Sequence, residues 1–197
     1  FVRLSGNNFG PGTSSATSYV TGAYGPVGAE SRFALSSCTV NSHMEMTCAV
    51  GAGYGAGFTW TITVESQTSS AFTSAIGYRA PSISSVSSSG AGNEMATDGS
   101  STITLVGSDF GPVSVTPVSA SFGPSSSSGN ATLLTSCEVT TSHTEMRCSG
   151  AAGTGADHHF RVLVAGQESS MSIAQVSFSE PEISGVVLES RPSSKVL

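Results

Sequence analysis

Charge is what this chain has least of. Of its 197 residues, seven are Lys or Arg and thirteen are Asp or Glu, for a formal net charge of −6. The one lysine is Lys195. A phosphate backbone is held by clustered cations, so the composition excludes nucleic acid as a partner. Long apolar runs are missing too, and nothing approaches the roughly 18–20 residues of a membrane-spanning helix. No charged stretch leads into an apolar one at the start, so no signal peptide is visible. The first residue is Phe1, and the chain is expected to be processed, trimmed or a window of a longer polypeptide. Glycine does not recur at every third position, which excludes collagen. There is no Cys-x-x-Cys, and zinc needs Cys and His clustered at short spacing. There is no Gly-x-Ser-x-Gly elbow for a nucleophile and no Asp-x-Asp calcium pattern. Glycines 51, 53, 55 and 57 lead into a strand pattern and carry no Lys, so they read as a turn rather than a phosphate loop. No metal, no cofactor and no enzymatic activity are expected.

Small hydroxyls fill the space that charge leaves. The chain has 40 Ser, 20 Thr and 23 Gly, yet 38% of its residues are hydrophobic. The apolar residues alternate in short runs, which is the signature of half-buried strands rather than of disorder. Thr59 to Val64 places Trp60, Ile62 and Val64 on one face and threonines on the other. Phe160, Val162 and Val164 repeat the pattern. Val40 and Val139 lie in short runs beside cysteines, and Met44, Met46 and Cys48 are expected to share a face. No window keeps a 3.6-residue apolar period, so almost no helix is expected. Gly-Pro and Gly-rich stretches mark the turns. The expected fold class is all-β, two tandem immunoglobulin-like sandwiches followed by a C-terminal extended strand.

The tandem arrangement comes from an internal repeat. Ser-His-Met-Glu-Met-Thr-Cys at 42–48 returns as Ser-His-Thr-Glu-Met-Arg-Cys at 142–148, an offset of 100. The same offset relates Gly53 and Gly55 to Gly153 and Gly155, Trp60 to Phe160, Tyr78 to Phe178, and Pro81 and Ile83 to Pro181 and Ile183. Upstream, Gly6 and Phe9-Gly10 match Gly107 and Phe110-Gly111 at 101, and Tyr24-Gly25-Pro26 matches Phe122-Gly123-Pro124 at 98. The expected division is domain 1 over 1–80, domain 2 over 81–180 and a tail over 181–197. Domain 2 opens with a strand near Ile83 and Val86 that domain 1 is expected to lack. The tail, with Ile183, Val186, Val187 and Leu188, looks like the opening strand of a next domain.

Cysteines come one pair per repeat: Cys38 with Cys48, and Cys137 with Cys148. Four cysteines allow three pairings. The repeat selects this one, because each domain then closes independently. Two strands of a tight hairpin bring such residues within disulfide range, and disulfides point to an oxidising, extracellular compartment. His43 with Glu45 and His143 with Glu145 are expected on one solvated strand face. His158-His159 beside Asp157 occurs only in the second repeat. Asn130-Ala131-Thr132 is the one N-glycosylation sequon, and covalent glycans are expected there and on Ser/Thr-rich stretches.

A Gly-x-x-Phe-Gly turn, Tyr/Phe-Gly, a cysteine pair, Gly-x-Gly, an aromatic strand, Gln and a closing Pro-x-Ile run in that order twice. This order resembles the IPT/TIG family, immunoglobulin-like domains of plexin-type receptors and large extracellular proteins. Ala-Thr-Asp-Gly before the turn is similar to the fibrocystin-like and algal or protist surface members. The resemblance implies fold far more than function. The family's DNA-binding branch uses basic loops that this chain lacks.

The expectation is a non-enzymatic extracellular or cell-surface structural protein that is its own partner. Tandem domains would join head to tail, the tail strand of one unit completing the first domain of the next, as a filament or as successive repeats of one polypeptide. The alternative is a ligand- or carbohydrate-binding ectodomain module of a larger receptor.

Overall fold

The structure, a computed structural model, describes residues 1–12, 19–115, 117–124 and 131–187. Asn130 and Leu188 lie outside the described residues. Among the described residues the regular structure is all β but for one short turn of helix, and the strands form antiparallel sheets. The first half contributes β1 (Val2–Ser5), β2 (Val20–Gly25), β3 (Phe33–Ser42), β4 (Glu45–Val50), β5 (Thr59–Val64), β6 (Gln67–Thr68) and β7 (Phe72–Thr73). They pair in the order β1-β4-β3-β2-β5-β6, with β7 also on β5. The second half contributes β8 (Ser82–Ser88), β9 (Thr102–Ser108), β10 (Val118–Pro124), β11 (Thr132–Leu133), β12 (Thr135–Thr141), β13 (Glu145–Ser149), β14 (His158–Val164), β15 (Gln167–Glu168) and β16 (Gln175–Val176). These form two sheets, β12-β13-β9-β8 and β11-β10-β14-β15, with β16 on β14. A single 3₁₀ turn, Ala91–Asn93, is the only helical element among the described residues.

Alternation decides which side chains go inside. Trp60 and Ile62 are buried in the first half; Phe160, Val162 and Val164 are buried in the second. Two apolar clusters result. One gathers residues from Val20 to Ile62, the other from Val86 to Phe178. They meet at a narrow seam where Tyr54 packs on the second cluster and Gln167 Nε2 donates to Tyr78 O (2.9 Å).

The repeat extends to backbone conformation. Left-handed residues recur as pairs: Asn8 and Asp109 (φ 68° and 62°), Ser37 and Ser136 (45° and 47°), Glu65 and Ala165 (54° and 47°). Ser37 and Ser136 lie within bulges, where the register slips between Ser36 and Thr39 and between Thr135 and Glu138. Each bulge sits beside the next cysteine. Disulfides Cys38–Cys48 and Cys137–Cys148 follow, both with Cα atoms 4.0 Å apart. Cys48 and Cys148 are among the most buried residues of their clusters.

Two expectations fail at the hairpin between β3 and β4. Met44 is exposed, although Met46 and Cys48 are fully buried. His43 and Met44 form the turn itself, so His43 does not share a strand face with Glu45, which opens β4. His143 likewise sits in a turn, with φ 65°. The alternation is real, but it starts two residues later than the sequence suggests, because a reversal between paired strands must interrupt it.

Candidate functional site

Strands β1 and β9 hold equivalent places. Val2 faces Cys48 and Leu4 faces Met46; Ile103 faces Cys148 and Leu105 faces Met146. Their surroundings differ on the other edge. β9 is paired on that side by β8, with Val86 opposite Leu105 and Ser88 opposite Ile103. Among the described residues no strand pairs the outer edge of β1. The effect on burial is direct. Ile103 and Leu105 are fully buried, whereas Val2 and Leu4 are only half-buried. An open edge of this kind presents unpaired backbone N–H and C=O groups, a template for another strand.

The uncovered space is mainly apolar, with Arg3, Ser5 and Ser74 also on its walls. A 250 Å³ cavity lies along β1, lined by Val2, Leu4, Trp60, Phe72 and Ile76. A smaller one of 140 Å³ adjoins it, lined by Tyr24, Phe58, Trp60 and Tyr78 among others. Trp60 therefore borders both. Its ring stacks on Tyr24 with centroids 4.5 Å apart, and its Nε1–H is buried with no hydrogen-bond partner. A buried donor left unpaired costs about 1–3 kcal/mol. The counterpart in the second half, Phe160, has no such group. Tyr78 hydrogen-bonds Tyr24, and burial, reinforced by that bond, pushes its phenol well above the usual tyrosine range.

In the second half the equivalent space is filled from within the chain. Val86 is buried against the core, and Met95 is 2% exposed. Met95 bridges to Phe178, its N–H donating to Ser177 O (2.8 Å) while Ser179 N donates to Met95 O (3.0 Å). The tail carries the matching side chains and leaves them uncovered. Ile183, Val186 and Val187 are 83%, 85% and 87% exposed, in no strand. The offset of 100 places Ile183 on Ile83 and Val186 on Val86.

Other sequence candidates are engaged with their own neighbours. Glu45 accepts from Asn41 Nδ2 (3.1 Å) and faces Arg3 at 3.8 Å. Glu145 accepts from Thr140 Oγ1 (2.7 Å) and Arg147 Nε (3.1 Å). His159 donates from Nδ1 to Ser172 O (2.6 Å), so its Nε2 accepts from Gln175 (2.8 Å). His158 lies edge-on to Phe122 and Phe178, its Nε2–H donating to Thr154 O (3.1 Å). A 270 Å³ cavity of mixed lining beside His159 contains Arg161 and Glu168, already paired with each other at 3.1 Å. Among the described residues no three His, Cys, Asp or Glu cluster as a metal site, and no helix is long and apolar enough to cross a membrane.

The sequence pattern singles out the tail segment but not the lining of the groove, namely Val2, Leu4, Phe72 and Ile76, nor the Tyr24–Tyr78 pair. A signal was present, since Ile76 and Val176 stand at the repeat offset in differing surroundings of sequence. No protein-family model matches the chain, and no curated protein matches it.

Proposed function

We propose that this chain is a non-enzymatic extracellular structural subunit, built from two tandem IPT/TIG-like units, that assembles head to tail into a filament. In this reading the tail of one copy adds as a strand to the open edge of β1 in the next. The observation that carries it is the internal template: β8 already fills in the second half the place that stands open in the first. Transfer of the β8–β9 pairing by the repeat offsets sets Val186 opposite Leu4 and Ile183 opposite Gly6. Strand addition satisfies the open edge and the exposed apolar tail at once. The donor and acceptor lie in different parts of the chain, so the contact is heterologous, and it propagates as a filament when its rotation does not close a ring. The two disulfides are of the kind that persists in oxidising compartments, and glycans on Asn130 and the Ser/Thr-rich surface fit the same setting.

Electron microscopy of the full chain tests this, with a chain ending at Pro181 as comparison. Fibres are expected from the first and monomers from the second; long fibres from the truncated chain would overturn the proposal. Mass spectrometry of denatured native fibres separates subunits of 19.8 kDa of polypeptide from successive repeats of one longer chain.

A further inference from the structure

The segments that follow Trp60 and Phe160 begin and end alike. Ser69 N donates to Ile62 O and Ser169 N to Val162 O, both at 2.8 Å. Tyr78 N donates to Gly55 O (2.8 Å) and Phe178 N to Gly155 O (2.9 Å). Between these fixed points they part. In the second half the ladder breaks after Ser172, whose N–H donates to Phe160 O (2.8 Å). Ile173 then bulges out at 95% exposure, and pairing resumes with Gln175 on His159 and Val176 on His158. Val176 ends 3% exposed. In the first half the ladder runs on unbroken: Phe72 on Trp60, Thr73 on Thr59, then Ser74 N to Phe58 O at 2.9 Å. The slack falls later, around Ala75 to Gly77, and Ile76 is 59% exposed. Thr59 thus pairs with residue 73, where the second repeat would pair it with residue 75. The two registers differ by two residues.

What covers each segment differs in the same way. In the second half β8 packs against both β14 and β16. In the first half no strand among the described residues lies there, and Phe72, Ser74 and Ile76 themselves line the cavity with β1 and Trp60. We infer that residues 73–76 form a latch: in the free subunit they hold the unbroken register beside the empty groove, and arrival of residues 182–187 from a second copy shifts the pairing beyond Phe72 by two residues, setting Ile76 opposite Phe58 as Val176 sits opposite His158. This rests on the head-to-tail reading above. A two-residue shift is the smallest slip that keeps each side chain on its own face, because side chains alternate with period two. Only the bulge migrates, from the 75–77 stretch to 73–74, while the bonds at Ser69 and Tyr78 stay in place.

Gly77 marks the register held now. A Cβ added there would collide with Ala56, whereas its counterpart Ser177 carries a side chain without conflict and accepts from Asp157 N (3.1 Å). Serine at 77 is therefore incompatible with the present register and compatible with the shifted one.

The test uses the full chain with two changes. Thr59→Cys with Thr73→Cys, oxidised, locks the unbroken register, since the two threonine hydroxyls already lie 3.2 Å apart. The locked chain should assemble at least tenfold more slowly than the unmodified one by light scattering. Mild reductant should restore the rate, with mass spectrometry showing that the engineered bridge opens while the native bridges stay closed. Gly77→Ser should assemble faster than the unmodified chain. Circular dichroism before mixing establishes that both variants are folded. If the locked chain assembles as fast as the unmodified one, or Gly77→Ser brings no acceleration, the latch is wrong and head-to-tail assembly stands. If the unmodified chain stays monomeric, the head-to-tail reading falls and the latch with it.

Discussion

The hydroxyls of Tyr24 and Tyr78 meet at 2.6 Å across 54 residues of sequence. Tyr78 Oη donates onward to Gly51 O at 2.8 Å, so Tyr24 is the donor within the pair. The bond ties β2 to the end of the segment that follows β7, at the floor of the open groove. Burial raises the Tyr78 phenol above its ordinary value of 10.0, and the Tyr24 hydrogen bond adds to the rise. A raised folded pKa means that the neutral form is favoured by folding. The stabilisation is fully present below about pH 10, the unfolded phenol value, and is lost as pH climbs through the folded one. The native chain should therefore show a phenolate absorbance step above pH 10 that Tyr78→Phe removes. The same substitution should lower stability by about 1–2 kcal/mol in urea unfolding, because buried Tyr24 loses its acceptor.

How much of this was legible beforehand follows from what each feature depends on. The buried faces of β5 and β14 could be read because side-chain alternation is local. The disulfides could be read because the repeat offers one self-contained pairing per unit. The turn at His43 and Met44 was misread by two residues, since where a hairpin reverses depends on the cross-strand register and not on the residues alone. The Tyr24–Tyr78 pair was not legible, and the exposure of Ile76 left only the differing neighbours of Ile76 and Val176 as a sign. Both depend on contacts between distant segments, which no local pattern encodes.

Each disulfide closes a loop of 10 or 11 residues. Chain-entropy arguments give about 2–3 kcal/mol for a loop of this size. Replacing Cys38 and Cys48 by Ala should destabilise the first half by that amount and leave the second unchanged, since the two apolar clusters share few contacts. Differential scanning calorimetry should then resolve two transitions, with only one moved down. A single transition shifted as a whole would show that the two halves unfold together.

The sequon at Asn130 yields a separate check. Peptide-N-glycosidase treatment of native material leaves Asp where a glycan was attached. Peptides spanning residue 130 should carry that mark after treatment and a large added mass before it. Unmodified Asn130 in every peptide would remove the N-glycan from the proposal without touching the strand argument.

The sharpest test of the open edge places a charge on it. Leu4 is half-buried, and β1 is the last strand of its sheet. In Leu4→Lys the aliphatic stem can still cover Met46 while the ammonium reaches water, so the monomer should lose no more than about 1–2 kcal/mol. An arriving strand would bury that ammonium opposite Val186 with no carboxylate to pair it, which natural edges exploit to refuse partners. Leu4→Lys should thus unfold cooperatively near the unmodified chain in urea yet form no fibres. The reciprocal change, Val186→Lys in the tail, should act alike, and mixing the two variants should stop at heterodimers, because one unmodified tail meets one unmodified edge while the remaining edge and tail both carry Lys. Leu105→Lys, at the equivalent place under β8, should instead prevent folding of the second half, since Leu105 is fully buried. Fibres from Leu4→Lys at the normal rate would mean that the groove beside Trp60 is not where copies join.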